Sequence, residues 1–445
     1  MSSSRTRSFG YHSIVQYVCL PFISRFLDSI VGKSSEKLKL SVTSTGDEMD
    51  FGGQKMENNN DATRPVTMFL HNPVHFCWLM LLDQKMGLGE AYMAGDWSAD
   101  PNPKEFLKLL IRAKKQQKSY GSRKPSLLKR FKGSICEGAL RFIRHMVNTY
   151  RYIQHRIRDN TLTQSAKNIE DHYDLGNDMF RMFLDPSMTY SCALFQESLQ
   201  PVEKVDFTAL EEAQFRKMDA LIDMLDLKQT DKVLEIGCGW GACAIRAVKR
   251  SKCEWTGLTI SHEQLDWAKR KVAEAGLDEK ILLKYQDYRL ARGQYDKLIS
   301  IEMIEAVGQK FLPQYFRVLS DRLLPGGIAV LQGIICPDAY YDRYCKSSDF
   351  IKKYIFPGGH MPSIGAIKSS LPSDLKIGEI KHIGRHYAAT LDHWYSAWMK
   401  NENNILDLGY SETFHRRWQY YFCLCSALFA NDHIDTIQFT LTKDV

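Results

Sequence analysis

The stretch Val233 to Gly241, VLEIGCGWG, constrains the fold of this chain more than any other. An apolar strand pattern runs into glycines at alternating positions, Gly237, Gly239 and Gly241, and a helical pattern opens at Ala242. Glycines so placed let the backbone turn sharply and approach a ligand with no Cβ in the way. Strand, glycine turn and helix in succession mark one unit of an open parallel α/β sheet. The G-x-G-x-G spacing departs from the dinucleotide fingerprint G-x-G-x-x-G, whose helix amides cradle a pyrophosphate. An acid inside the strand end, Glu235, suits a ligand carrying ammonium and sulfonium charge better than one carrying phosphates.

The same rhythm continues downstream. Apolar runs predict strands at Lys232–Ile236, Trp255–Ile260, Ile281–Gln286, Lys297–Ile301 and Ile328–Ile334, near-continuous as strands covered on both faces are. A long polar-aromatic stretch then reaches Pro372, and strands near Ile377–Gly384 and Thr436–Thr442 bracket two helices. Upstream, Ile14, Val18, Phe22, Phe26 and Ile30 recur every four residues, one side of a helix over 11–31. Pro21 interrupts it, and Arg25 and Asp28 within it are expected to exclude a membrane span. An interfacial anchor, a transit segment and a helix packed on the body all stay open. Residues 44–65 are polar and rich in Gly and Asn, and read as a disordered linker. GLGEAYMAGDW (Gly87–Trp97) and the helical pattern Phe106–Ala113 follow, then a weak boundary at Ser119–Ser126 and a basic helical stretch, Leu127–Ile157. The expected domains are an N-terminal extension over 1–65, a small, mainly helical, basic domain over 66–160 and an α/β catalytic domain over 161–445.

Charge is unevenly spread. Lys108 to Arg158 holds fifteen Lys or Arg against Glu137 alone, a net +14 that leaves −7 for the rest of a +7 chain. Such a block points to an anionic partner or to a solvated helical face. The eleven cysteines include no CxxC pair, and Cys423 and Cys425 lie on an apolar helical pattern, so neither a structural metal site nor a disulfide framework is expected.

The glycine loop resembles motif I of the class I S-adenosylmethionine methyltransferases, which implies their Rossmann-like open sheet. On that resemblance Glu235, Gly237, Gly239 and Gly241 border the cofactor. Gln286, Asp287 and Tyr288 follow the third strand, where an acid commonly meets the adenine amino group. Thr259 stands where many relatives carry an acid for the ribose hydroxyls, and Thr259 and Gln264 could bond the ribose instead.

Further motifs occur in order: HYDLGNDMF (His172–Phe180), MTYSCALF (Met188–Phe195), EMIEAVG (Glu302–Gly308), YIFPGGHMPS (Tyr354–Ser363) and HYAATLDHW (His386–Trp394). With the glycine loop they resemble the cyclopropane-fatty-acid synthases, mycolic acid cyclopropane synthases included, from about Asp171 to the C-terminus. GLGEAYMAGDW resembles the small N-terminal domain of the fatty-acyl-phospholipid enzymes. Glu302 with EMIEAVG, and the run PDAYYDRYCKSSDFIKKYIFPGG (Pro337–Gly359), resemble most the methyltransferase part of eukaryotic, plant-type members, without their flavin domain.

The resemblance implies attack of a lipid alkene on a sulfonium methyl, a carbocation on the acyl chain, and loss of a proton to a bound bicarbonate before the ring closes. Aromatic faces stabilise a cation by about 0.5–2 kcal/mol each, and Tyr190, Phe195, Tyr387 and Trp394 are candidates. Cys192, Glu305 and Tyr387 match bicarbonate contacts, and Ile334 matches a backbone contact. Gln332 replaces a histidine ligand and still donates a hydrogen bond, but cannot carry its charge. Ala306 also replaces a common histidine. Tyr190 and Ser191 would border the cofactor, and Trp240 is expected to pack against the helix after the loop. No metal is implied. The expected partners are unsaturated phospholipid acyl chains and an anionic membrane surface, with no nucleic acid and with a homodimer left open. The expected location is cytoplasmic and peripheral to a membrane, with mitochondrial targeting also open. A methyl-branched or methylene lipid product, or methylation of a small amine, are the competing outcomes.

Overall fold

The computed structural model describes residues 10–53, 65–119, 146, 160–161, 164, 175–196 and 205–445. Residues 54–64 of the expected linker, 120–126 of the expected boundary, the basic stretch 127–157 apart from residue 146, and residues 172–174 of HYDLGNDMF lie outside the described residues. The chain divides into two compact units, Met1–Ile153 with Tyr410–Asn431, and Gln154–Gly409 with Asp432–Val445. The expected catalytic domain therefore gives up the helix Glu412–Ala430 to the first unit.

The first unit sets helices around a four-stranded sheet that the sequence pattern does not announce. Its strands β1 (Lys37–Val42), β2 (Glu48–Gly52), β3 (Val66–Leu70) and β4 (Trp97–Asp100) lie in the order β2-β1-β3-β4, with β1 and β3 parallel. β2 falls inside the expected linker. The hairpin partner explains it, because β1 pairs Leu40 with Met49 and Leu38 with Phe51, burying Phe51. GLGEAYMAGDW becomes most of a helix, Gln84–Met93, a turn at Gly95, and the start of β4. Trp97 Nε1 donates to the Leu88 carbonyl at 2.9 Å, and the fully buried ring meets Tyr92, Phe106 and Tyr420.

The N-terminal helix, Gly10–Val31, does form, but its buried stripe is Val15, Cys19, Ile23, Leu27 and Val31, one residue off the expected one. Ile14 and Val18 face outward. Two apolar stripes run side by side along the helix, so spacing alone does not choose between them, and a π-helical turn at Val15–Cys19 shifts the register. By length and composition alone it is also apolar enough to cross a bilayer, a test that a packed core helix passes as well, and 39% of its apolar window is buried.

The second unit is a seven-stranded sheet of order β10-β11-β9-β8-β5-β6-β7. Its strands are β5 (Lys232–Ile236), β6 (Glu254–Thr259), β7 (Ile281–Tyr285), β8 (Tyr295–Ile301), β9 (Leu323–Ile335), β10 (Leu375–His382) and β11 (Asp435–Lys443). β5 to β9 run parallel, and β11 is antiparallel to β9 and to β10. Alternate residues feed two cores, as strands with helices on both faces must. Leu234, Leu298 and Ala329 join one core, and Val233, Ile299 and Val330 the other. The order reverses beside β5, with β6 on one side and β8 on the other. The crevice at the carboxyl ends of those strands is where an open α/β sheet binds its ligand.

Candidate active site

The glycine loop opens a cavity at that crevice. Gly237 and Cys238 donate to the Leu258 carbonyl at 3.0 and 2.9 Å, which holds the loop on β6. Gly237, Gly239 and Gly241 adopt φ of 83°, 51° and 88°, conformations open to glycine and costly to other residues. Gly239 lines the cavity with open space where a Cβ would stand. Gly241 does not line it. It caps the helix Ala242–Ser251, where a Cβ would come 3.0 Å from that of Ala268.

Of the residues expected to bind cofactor, Tyr190, Ser191, Glu235, Gly237, Gly239, Thr259, Gln264, Gln286, Asp287 and Tyr288 all line this one cavity. Several have partners within the chain. Glu235 Oε2 accepts from Trp255 Nε1 at 2.9 Å, and burial pushes its carboxyl up to about 7. Thr259 Oγ1 donates to Gln264 Oε1 at 3.0 Å. Asp287, expected at the adenine amino group, is clasped by Arg289 through Nε at 2.8 Å and Nη2 at 2.6 Å. Arg289 in turn donates from Nη1 to the Asn160 carbonyl at 2.9 Å. Trp240 also faces the cavity rather than only the helix, donating to Asn177 Oδ1 at 2.6 Å.

Beside the cavity stands a buried cluster of polar groups. Glu302, the first residue past β8, accepts at Oε1 from the Cys192 amide and from Gln332 Nε2, both at 2.8 Å. Its Oε2 accepts from the Tyr387 hydroxyl at 2.7 Å. Gln332 is held in turn by Gln438, whose Nε2 donates to Gln332 Oε1 at 2.8 Å. Glu305 Oε1 accepts from the Ile334 amide, and its Oε2 is buried with no hydrogen-bond partner among the described residues. Burial, then the charge of Glu302, pushes Glu305 up to about 8. The Cys192 thiol donates to the carbonyls of Ala193 and Ile383, and burial keeps it protonated. Lys217 is fully buried in the helix Phe207–Leu225, lines the cavity, and donates to Ser191 Oγ at 2.7 Å.

An aromatic wall closes the same region. Tyr190 lies 5.1 Å from Trp394 and 5.6 Å from Phe180, and Tyr387 lies 5.9 Å from Trp394. Phe195 is not part of this wall. It stacks on His386 and His393 at 6.4 and 5.6 Å.

Residues 160–439 match the family model described as mycolic acid cyclopropane synthetase. The chain belongs to that family. It is 35% identical over 384 residues to the tuberculostearic acid methyltransferase UfaA1 of Mycobacterium tuberculosis, covering 86% of this chain and 84% of the relative. It is 32% identical over 391 residues to the cyclopropane-fatty-acyl-phospholipid synthase of Escherichia coli K12, covering 86% and 90%. The solved structure of mycolic acid cyclopropane synthase CmaA1 complexed with SAH and CTAB superposes with a TM-score of 0.57 at 30% identity, over 62% of this chain and 98% of that one. This cyclopropane synthase family member is an S-adenosylmethionine-dependent methyltransferase, and the glycine-floored cavity fits that cofactor.

Bicarbonate fits less well. The Cys192 amide, Gln332 and Tyr387 already donate to Glu302, and the Ile334 amide to Glu305. Four donors are thus occupied by two carboxylates of the chain, and among the described residues Glu305 Oε2 is the polar atom of the cluster left for a further anion.

Three site residues were given no role in the site from the sequence, although Glu302 marked the subfamily. Lys217 was visible in principle, because it interrupts the buried face Leu210, Ala213, Gln214, Met218 and Leu221 of its helix. Arg289 and Glu302 were not. Each is an ordinary charge beside a strand end until the fold turns it inward.

Proposed function

We propose that this enzyme alkylates the cis double bond of an unsaturated fatty acyl chain, carried in a phospholipid, and closes a cyclopropane ring there. One observation carries the reading. The cofactor cavity adjoins buried carboxyls and a ring-lined wall formed by Tyr190, Trp394 and Tyr387. The bound cofactor supplies an electrophilic methyl group. The Tyr190 and Trp394 rings would shield the acyl cation from water and stabilise it through their faces. Gly237, Gly239 and Gln264 would hold the cofactor, with Ser191 kept in place by Lys217.

The lipid reaches the site from a bilayer in this reading. Tyr11, Ile14, Tyr17 and Val18 are exposed on the N-terminal helix, Tyr17 at 78%. Helix Pro73–Leu82 meets that helix through Cys77, whose Sγ is 3.8 Å from the Cys19 carbonyl, and adds Val74 and Trp78, the latter 57% exposed. Exposed apolar rings of this kind insert into the headgroup boundary. The basic segment Lys108–Arg158 would favour anionic headgroups, by about 1 kcal/mol per charge near the surface.

A second reading is favoured by the name of UfaA1, a methyltransferase that matches the chain over most of its length. The same alkylated cation could instead lose a proton to give a methylene chain or a methyl-branched alkene. Incubation with trideuteromethyl cofactor and vesicles of monounsaturated phosphatidylglycerol separates the outcomes. Ring closure leaves two deuteriums and upfield ring protons in the NMR spectrum of the released fatty acid. Two deuteriums with vinylic signals in the deuterium spectrum and no ring protons would give a methylene lipid, and three deuteriums a methyl branch. Transfer to a small amine and none to lipid would overturn both lipid readings.

A further inference from the structure

Glu302 is the hub of the buried cluster. Three of the donors that the family resemblance assigns to a small anion, the Cys192 amide, Gln332 Nε2 and the Tyr387 hydroxyl, converge within 2.8 Å on its two oxygens. Of Cys192, Glu302, Glu305, Gln332 and Tyr387, Glu302 is the one that lines the cofactor cavity. Its backbone also holds φ of 50°, a left-handed conformation that a residue with a Cβ adopts only where surroundings compel it. A strained backbone that aims a carboxylate at a cofactor has the form of a functional placement.

We infer that the Glu302 carboxylate is the built-in proton acceptor of this site and does the work that a bound bicarbonate would otherwise do. The inference rests on the lipid-alkene reading above. In that reaction the alkene π pair forms the new C–C bond to the methyl as the S–CH3 pair stays on sulfur, leaving a cation on the adjacent chain carbon. A Glu302 oxygen then takes a proton from the added methyl, and the freed C–H pair forms the last ring bond. Glu302 ends protonated and returns that proton to solvent before the next turnover.

The neighbouring groups decide which carboxyl carries the charge. Glu302 faces Glu305, Lys217, Tyr387 and Cys192. Burial raises both acids, but three donors and Lys217 favour the ionised form of Glu302. Glu305 has a single backbone donor from β9 and is pushed up to about 8, so of the two acids Glu302, with three donors, is the one built to hold the charge.

The test uses the full chain, S-adenosylmethionine and vesicles of monounsaturated phosphatidylglycerol in carbonate-depleted buffer, with and without added bicarbonate. The wild-type rate is expected to be indifferent to bicarbonate. Glu302→Gln is expected to lower lipid product about 100-fold, the scale of a lost general base, with cofactor affinity by calorimetry and melting temperature retained. Glu302→Gly suits the local φ, so it should fold, be equally slow in depleted buffer, and recover when bicarbonate is added. A wild-type enzyme that needs bicarbonate, or a Glu302→Gln enzyme of near wild-type rate, would overturn the inference and leave the lipid reading intact. A wild type that binds cofactor yet alkylates no lipid in either buffer removes the reading, and the inference with it.

Discussion

Glu305 binds a proton in the folded enzyme that it releases when unfolded, and this couples the site to pH. Its carboxyl rises from 4.5 to about 8, first because burial disfavours its charge and then because Glu302 is negative beside it. A raised carboxyl makes its favourable contribution fully below its unfolded value and loses it as pH climbs through the folded one. Between about pH 5 and 8 this group therefore lowers stability as pH rises. Glu305→Gln keeps the shape and stays neutral, so its melting temperature is expected to fall less than that of the wild type over this range. Parallel thermal melts check it, and equal slopes would mean that Glu305 is ionised in the fold. At this scale the sequence was partly legible. Cys192, Glu305, Gln332, Ile334 and Tyr387 do come together, though spacing could not show that EMIEAVG turns its first acid to the cavity and its second to the Ile334 amide. That choice depends on the positive φ at Glu302, which only the packed fold enforces.

Elements were legible where burial is two-sided and obscure where it is not. The strands of the seven-stranded sheet fall within a few residues of their expected positions, because continuous apolar runs between glycine turns leave few alternatives. In the first unit β1 and β2 are short, half-exposed strands stabilised by each other, so neither pattern stands out alone. The N-terminal helix differed in another way, since two adjacent apolar stripes do not declare which one is buried. Its outward residues carry a prediction of their own. Fully burying an aromatic side chain contributes roughly 1.5–3 kcal/mol, and the membrane-docking reading buries Tyr17 and Trp78 in lipid. Tyr17→Ser combined with Trp78→Ser is expected to weaken vesicle binding about tenfold or more in co-sedimentation. Both rings are exposed, so the melting temperature should hardly move. Unchanged vesicle binding would leave these rings without the proposed role.

The whole molecule is woven from discontinuous segments, and this has a consequence for any attempt to divide it. The expected domains were consecutive stretches, because a linear reading has no means of assigning a late helix to an early core. The helix Glu412–Ala430 nevertheless belongs to the first unit, where Tyr420 packs on Tyr92 at 5.7 Å and on Trp97 at 6.5 Å. Within the same unit Arg416 donates to the Tyr92 carbonyl, and Lys115 to the Asn431 carbonyl. β11 follows directly and lies between β9 and β10, inside the sheet rather than at its edge. Residues 1–153 alone thus lack a buried helix, whose Trp418 and Tyr420 each account for roughly 1.5–3 kcal/mol of apolar burial. That is a large share of the stability of a unit this size. The fragment 1–153 is expected to bind a hydrophobic dye and to melt without a cooperative transition. The same fragment extended by residues 410–431 through a flexible linker should regain one. A sharp melt from residues 1–153 without the added helix would show that the helix is only laid on a core already complete.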